Sequence, residues 1–170
     1  QANLVEFLIS PSTYSADIQE RAEQIAKKIA NDLQIVGLLA VEMFLTKEGE
    51  ILVNELAPRP HNSGHQTIEG NYVSQFGQHL RAIFNLPLAN TGARGNAIMI
   101  NLLGEEGYEG LAEYEGLEEA LAIDGVYIHL YGKKYTKPFR KMGHVTIVHE
   151  DRATAIDNAR KVQNLIKVIA

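Results

Sequence analysis

The run Asn54-Glu55-Leu56-Ala57-Pro58-Arg59-Pro60-His61-Asn62-Ser63-Gly64-His65 places a carboxylate, a guanidinium, two imidazoles, two amides and a hydroxyl within twelve positions. Pro58, Pro60 and Gly64 exclude regular helix from it. Two fixed φ angles stiffen a polar loop of this kind, which suits it to hold charged groups in place for a ligand. Just upstream lies a second carboxylate, Glu42, in the apolar run Leu39-Ala40-Val41. Lys47-Glu48-Gly49-Glu50 reads as a hairpin turn with a glycine where φ can be positive. Centring that turn between Glu48 and Gly49 makes Glu42 and Glu55 direct cross-strand partners, with Cβ atoms about 5 Å apart. Facing like charges are compensated by a raised pKa, a basic neighbour or a divalent cation. A solvated sheet face with a nearby arginine or lysine is the plain alternative, and a β-bulge in either strand would break the pairing. If the pair holds a metal, oxygen ligands imply a hard ion such as Mg²⁺, which binds through one or two carboxylates together with waters and nucleotide phosphate.

A second group of residues able to do chemistry is cationic. Lys133, Lys134, Lys137, Arg140 and Lys141 hold five of the chain's 16 basic residues, although the net charge is −5. Gly132, Pro138 and Gly143 keep this stretch irregular. It reads either as a solvated loop or as an anion site, with arginine forking onto a phosphate and lysine adding a point charge. The acidic balance and only two aromatics in the loop, Tyr135 and Phe139, argue against nucleic acid as the partner.

The elements that must position these groups follow from periodicity. Residues 4–9 read as a strand. Ile18, Ala22, Ile25, Ala26, Ile29 and Leu33 recur at helical spacing behind the candidate cap Ser15. Val36–Leu45 and Ile51–Glu55 read as strands. Tyr72–Phe84 reads as a helix, and Leu86–Gly92 as a boundary. Beyond it come a strand at 97–103, a glycine-rich acidic loop at 104–116, a short helix at 117–122, and strands at 126–131 and 144–149. A final helix, capped by Asp151, carries Ile156, Ala159, Val162, Leu165, Ile166 and Ile169 as its stripe. Such mixing of strands and helices gives α/β or α+β. With 170 residues and 45% hydrophobic content, the chain is long enough for one domain or two small ones. It has no cysteine, so disulfides and thiolate chemistry are excluded. No apolar run reaches membrane-spanning length and no signal pattern opens the chain, so a cytoplasmic protein is the simplest expectation. Gln1 without a preceding Met, followed by a strand already under way, points to a piece of a longer protein.

Taken together, Glu42, the Asn54–His65 run, Ser74-Gln75-Phe76 and Arg140-Lys141-Met142-Gly143-His144 resemble the N5-carboxyaminoimidazole ribonucleotide synthetase family. This family is the ATPase subunit of phosphoribosylaminoimidazole carboxylase, within the ATP-grasp superfamily. Tyr131 and Lys133, just upstream of the last element, add to the resemblance. It covers essentially the whole chain but only the C-terminal half of a family member. The implied fold is α+β: residues 1–90 as the C-terminal part of an ATP-grasp fold, an antiparallel sheet with helices, then residues 93–170 as a small mixed β/α domain. The implied reaction carboxylates 5-aminoimidazole ribonucleotide with bicarbonate, using ATP and Mg²⁺, through carboxyphosphate. Under the resemblance Glu42 and Glu55 bind Mg²⁺, and Asn54 and Glu55 serve the nucleotide. Arg59, His61 and Asn62 line the bicarbonate site. Lys133 and Arg140 hold the substrate 5′-phosphate, and Lys141 reaches the transferred carboxyl. A homodimer is implied for the full-length protein, and no turnover for this chain alone. Many ATP-grasp enzymes have a metal-binding asparagine two residues after the second glutamate. Ala57 stands there, which leaves that ligand absent or supplied elsewhere, for example by Asn62. His65, His79, His129 and His149 receive no role, and His79 reads as packing. The alternatives are another ATP-grasp ligase, such as formate-dependent glycinamide ribonucleotide transformylase or biotin carboxylase, or a non-catalytic binding or assembly domain.

Overall fold

A computed structural model describes residues 7–170. The part of the first expected strand at residues 4–6 lies outside the described residues. The chain is α+β and divides into two compact units, residues 11–92 and residues 93–170 together with residues 7–10.

In the first unit a long amphipathic helix, α1 (Ala16–Asp32), precedes a hairpin of β2 (Ala40–Leu45) and β3 (Ile51–Ala57). The Arg21 guanidinium donates to the Gly49 carbonyl at 2.9 Å and ties the helix to the turn. Gly49 has φ 84, the left-handed geometry expected of it. A single 3₁₀ turn (Asn62–Gly64), a short helix α2 (Thr67–Gly70) and α3 (Gln75–Ile83) complete the unit. Two expected spans are shorter in the structure. The strand expected from Val36 begins at Ala40, after Gly37 at φ 118. The helix expected from Tyr72 begins at Gln75, because the Ser74 hydroxyl accepts from the Gly77 N–H and caps it there. His79 is a packing residue: its Nδ1 accepts the Leu38 N–H at 3.0 Å.

The second unit is built on a four-stranded antiparallel sheet, ordered β1-β4-β9-β7, from β1 (Phe7–Ser10), β4 (Asn96–Leu103), β7 (Val126–Leu130) and β9 (Lys141–His149). Here the structure differs from the sequence-based division: β1, expected with residues 1–90, pairs Phe7 with Ile100 and Ser10 with Ala97. A strand followed directly by a helix gives no sign of which later strand it will join. β4 and β9 are the central strands, and their apolar runs are buried nearly end to end. The last helix, α5 (Arg152–Leu165), lays Ala155, Ala159 and Val162 against Ile98, Ile100, Val145 and Ile147. Each large aliphatic side chain buried there contributes about 1.5–3 kcal/mol.

Asp151 caps α5 as expected, accepting the Thr154 N–H at 2.7 Å. Ile169, however, is not part of the helical stripe. Ile166 turns extended at ψ 125, and β10 (Lys167–Ile169) pairs with β6 (Glu113–Glu115). The acidic 104–116 stretch therefore contains strands, β6 and also β5 (Gly110–Leu111), which pairs with β8 (Tyr135–Thr136). A short helix, α4 (Leu117–Leu121), buries Ala120. No helix among the described residues is long and apolar enough to cross a membrane.

Candidate active site

The hairpin brings Glu42 opposite Glu55, by a route the turn alone does not give. The turn is centred on Glu48: the Thr46 N–H donates to the Glu50 carbonyl at 2.9 Å. From there the pairs run Leu45–Ile51, Phe44–Leu52 and Met43–Val53, a register that would set Glu42 against Asn54. A bulge after Met43 takes up Asn54 as the extra residue and delivers Glu55 to Glu42. The expected pairing is present because of the kind of irregularity expected to destroy it.

His61 lies between the two carboxylates. Its Nδ1 lies 3.4 Å from a Glu42 carboxylate oxygen, and its Nε2 lies 3.7 Å from one of Glu55. The Ser63 hydroxyl is 2.9 Å from the same Nδ1. The imidazole is largely buried, at 14% exposure, while the Glu42 and Glu55 side chains keep 34% and 53%. Both carboxylates thus face the imidazole and remain open to solvent on another side. When His61 is protonated, each ring nitrogen can donate toward a carboxylate.

Among the described residues no three His, Cys, Asp or Glu side chains converge as a self-sufficient metal cage. The donor set fits a hard cation of the Mg²⁺ type, which takes one or two carboxylates and completes its shell with phosphate and water. Ala57, at the position where the resemblance implies an amide ligand, is 4% exposed, and its side chain has no ligand atom. Asn62 opens the 3₁₀ turn beside His61. Arg59 is exposed, and its guanidinium donates to the Pro60 carbonyl at 3.2 Å. Asn54, the bulged residue, is also exposed.

Gln75 is part of the Ser74-Gln75-Phe76 element that carries the resemblance, but sequence alone assigns it no role. It is 7% exposed, and its carboxamide bonds to the backbone N–H and carbonyl of His61 and to the His65 ring. Fourteen positions separate it from His61, so no local spacing rule could have marked it.

The basic segment lies in the other unit. Lys133 donates its ammonium to the Lys141 carbonyl at 2.5 Å and sits 5.6 Å from the centroid of the Tyr131 ring. The Arg140 guanidinium donates to the Tyr135 carbonyl at 2.8 Å, which fixes the loop around it. Phe139, just before Arg140, has φ 62, an uncommon conformation for a side-chain-bearing residue. Its N–H donates to the Gly104 carbonyl, and the Gly104 N–H donates to the Arg140 carbonyl, both at 2.9 Å. A Cβ on Gly104 would run into the Lys137 carbonyl, so only glycine lets the loop close over the end of β4. Lys141 belongs to β9 rather than to the loop, and Met142 after it is a second bulge residue, opposite Leu102 and Leu103. Behind the loop the Tyr131 hydroxyl lies 3.1 Å from Nδ1 of buried His144, whose ring stacks on His129 at 4.5 Å. The structure therefore gathers Glu42, Glu55 and His61 in one unit, and Lys133, Arg140 and Lys141 along one segment of the other.

A paired-carboxylate hairpin with a polar proline-bearing loop lies in one unit and a sheet with a cationic segment in the other, and each stretch has its own family match. Residues 1–76 match the ATP-grasp domain and residues 97–158 the phosphoribosylaminoimidazole carboxylase C-terminal domain. The chain thus carries an ATP-grasp match over its first 76 residues, and the resemblance read from the sequence is borne out. More particularly, it is similar to N5-carboxyaminoimidazole ribonucleotide synthetases. The Bacillus subtilis synthase is 46% identical over 148 residues, 87% of this chain and 37% of its own length. The crystal structure of the Thermotoga maritima synthetase superposes with a TM-score of 0.93 at 52% identity, over 96% of this chain and 46% of that one. The Aspergillus clavatus synthase, in complex with ADP and 5-aminoimidazole ribonucleotide, superposes with a TM-score of 0.84 at 35% identity, over 96% and 44%. The chain thus spans less than half the length of each of these relatives.

Proposed function

We propose that this chain is the C-terminal part of an ATP-dependent carbon–nitrogen ligase that carboxylates 5-aminoimidazole ribonucleotide with bicarbonate, in purine biosynthesis. The observation that carries this reading is the convergence of Glu42, Glu55 and His61 on a bulged hairpin within the ATP-grasp-matching stretch. Glu42 and Glu55 hold Mg²⁺, which screens nucleotide phosphate charge when bound. Asn54 serves the nucleotide beside Glu55. Arg59, His61 and Asn62 present a guanidinium, an imidazole and an amide to bicarbonate and to the carboxyphosphate formed from it, where donors stabilise spreading negative charge. Lys133 and Arg140 bind the ribonucleotide 5′-phosphate, and Lys141 contacts the carboxyl being transferred. A loop pinned through Gly104 and Phe139 before substrate arrives supports the phosphate reading, since preorganisation lowers the ordering cost of binding. The ADP and 5-aminoimidazole ribonucleotide bound by the Aspergillus relative support a nucleotide and this ribonucleotide as the ligand classes. The full-length protein is proposed to be a cytoplasmic homodimer.

The test is ADP release by the full-length protein. Release that requires both 5-aminoimidazole ribonucleotide and bicarbonate is expected. Turnover with glycinamide ribonucleotide and formate instead would assign the chain to the transformylase reaction.

A further inference from the structure

We infer that Gln75 is a positioning residue for the proposed bicarbonate site: its carboxamide fixes the His61 peptide and holds His65 as the Nε2–H tautomer. The orientation of the carboxamide is determined by its partners. A backbone N–H can only donate, so the oxygen that takes the His61 N–H at 2.9 Å must be Gln75 Oε1. The Gln75 nitrogen then has two protons and two partners, the His61 carbonyl at 2.8 Å and His65 Nδ1 at 2.9 Å. Nδ1 must accept, so the single proton of neutral His65 resides on Nε2.

The surroundings lock this arrangement. The Gln75 N–H donates to Thr67 Oγ1 at 2.9 Å, and Thr67 Oγ1 donates to the Gly64 carbonyl at 2.5 Å. The His65 ring stacks on Phe76 at 5.7 Å and 18°. A Cβ on Gly64 would overlap Gln75 Oε1, so a side chain there would displace the carboxamide from these bonds. Through these bonds one side chain holds both backbone groups of the residue whose imidazole lies between Glu42 and Glu55. The contribution to rate rests on the proposed function, whereas the tautomer assignment does not.

Gln75→Glu separates the two. It keeps an acceptor for the His61 N–H but sets a second oxygen against the His61 carbonyl and against His65 Nδ1, which draws a proton onto Nδ1. Gln75→Met keeps the approximate volume and loses every bond. The experiment is imidazole ¹⁵N NMR on full-length protein labelled at histidine, at a pH where the ring is neutral, with His65 assigned by its loss in His65→Gln. It is read beside kcat, KM and thermal unfolding of both Gln75 variants. Expected are an Nε2–H His65 in the wild type and a proton on Nδ1 in Gln75→Glu. The kcat of both variants falls by about 10²-fold, as for a displaced positioning group, with KM for ATP within about twofold and Gln75→Glu still folded. An Nδ1–H His65 in the wild type, a His65 signal unmoved by Gln75→Glu, or wild-type kcat in both folded variants would overturn the assignment. If the wild type shows no ribonucleotide-dependent turnover, the proposed reaction fails, and the tautomer measurement still decides what Gln75 does.

Discussion

At the scale of single residues, Glu42 and Glu55 face each other across adjacent strands with the His61 imidazole between them. This geometry gives the two carboxylates a common task, and a neutral isostere at one of them should abolish it. In full-length protein, Glu55→Gln is expected to remove metal-dependent activity by at least about 10²-fold, with an unchanged circular dichroism spectrum. Full activity in that variant would refute the metal role. For Arg140, whose guanidinium is already anchored to Tyr135, Arg140→Ala should raise KM for the ribonucleotide by about 10–100-fold, the loss of one or two charge-assisted bonds. An effect confined to ATP affinity would show that the phosphate assignment is misplaced. The types of residue in the 54–65 run were legible because so many polar groups in a proline-stiffened loop have few structural uses. Gln75 was not legible, since its role depends on a helix N-terminus folding back onto the loop.

At the scale of elements, both candidate segments sit at β-bulges, Asn54 in β3 and Met142 in β9. A bulge breaks the two-residue alternation, and alternation is what sequence reading counts. The hairpin arithmetic therefore reached the right pair from a turn centre half a residue off, with Asn54 making up the difference. The spans of β4 and α1 were readable from apolar periodicity alone, while the end of α5 and the pairings of β1 with β4 and β10 with β6 come from tertiary context.

Gly104→Ala tests the link between element and site. The clash with the Lys137 carbonyl should cost about 1–3 kcal/mol in denaturant unfolding and weaken ribonucleotide binding together with it. Unchanged stability would show that the loop closes differently. Asp151 at the start of α5 supplies a pH dependence. The Thr154 N–H, with the Thr154 hydroxyl, holds its carboxyl below the usual carboxylate range. A depressed folded-state value stabilises above about pH 4, the unfolded carboxylate range, and that stability is lost as pH falls through the folded value. Thermal unfolding between about pH 4 and 2 should therefore drop less steeply in Asp151→Asn than in the wild type. Parallel profiles would remove this carboxylate from the account.

At the scale of the whole molecule, the two units differ in how well they are filled. Large aliphatic side chains with almost no exposure, such as Ile98, Ile147 and Val162, lie in the β4–β9 unit. In residues 11–92, Phe44 is 60% exposed and Phe84 68%, with Val36, Leu52, Leu80 and Leu88 also open. A chain that spans less than half of its relatives and shows this much apolar surface in its ATP-grasp segment is expected to give no turnover by itself. Bicarbonate activation by ATP in the full-length protein is tested most directly by the path of oxygen. With ¹⁸O-labelled bicarbonate, ATP and 5-aminoimidazole ribonucleotide, a bicarbonate oxygen that attacks the γ-phosphorus stays on phosphorus when carboxyphosphate breaks down. Inorganic phosphate carrying one ¹⁸O per turnover is expected, with the 170-residue chain alone as the inactive control. Phosphate free of label during carboxylation would contradict this activation.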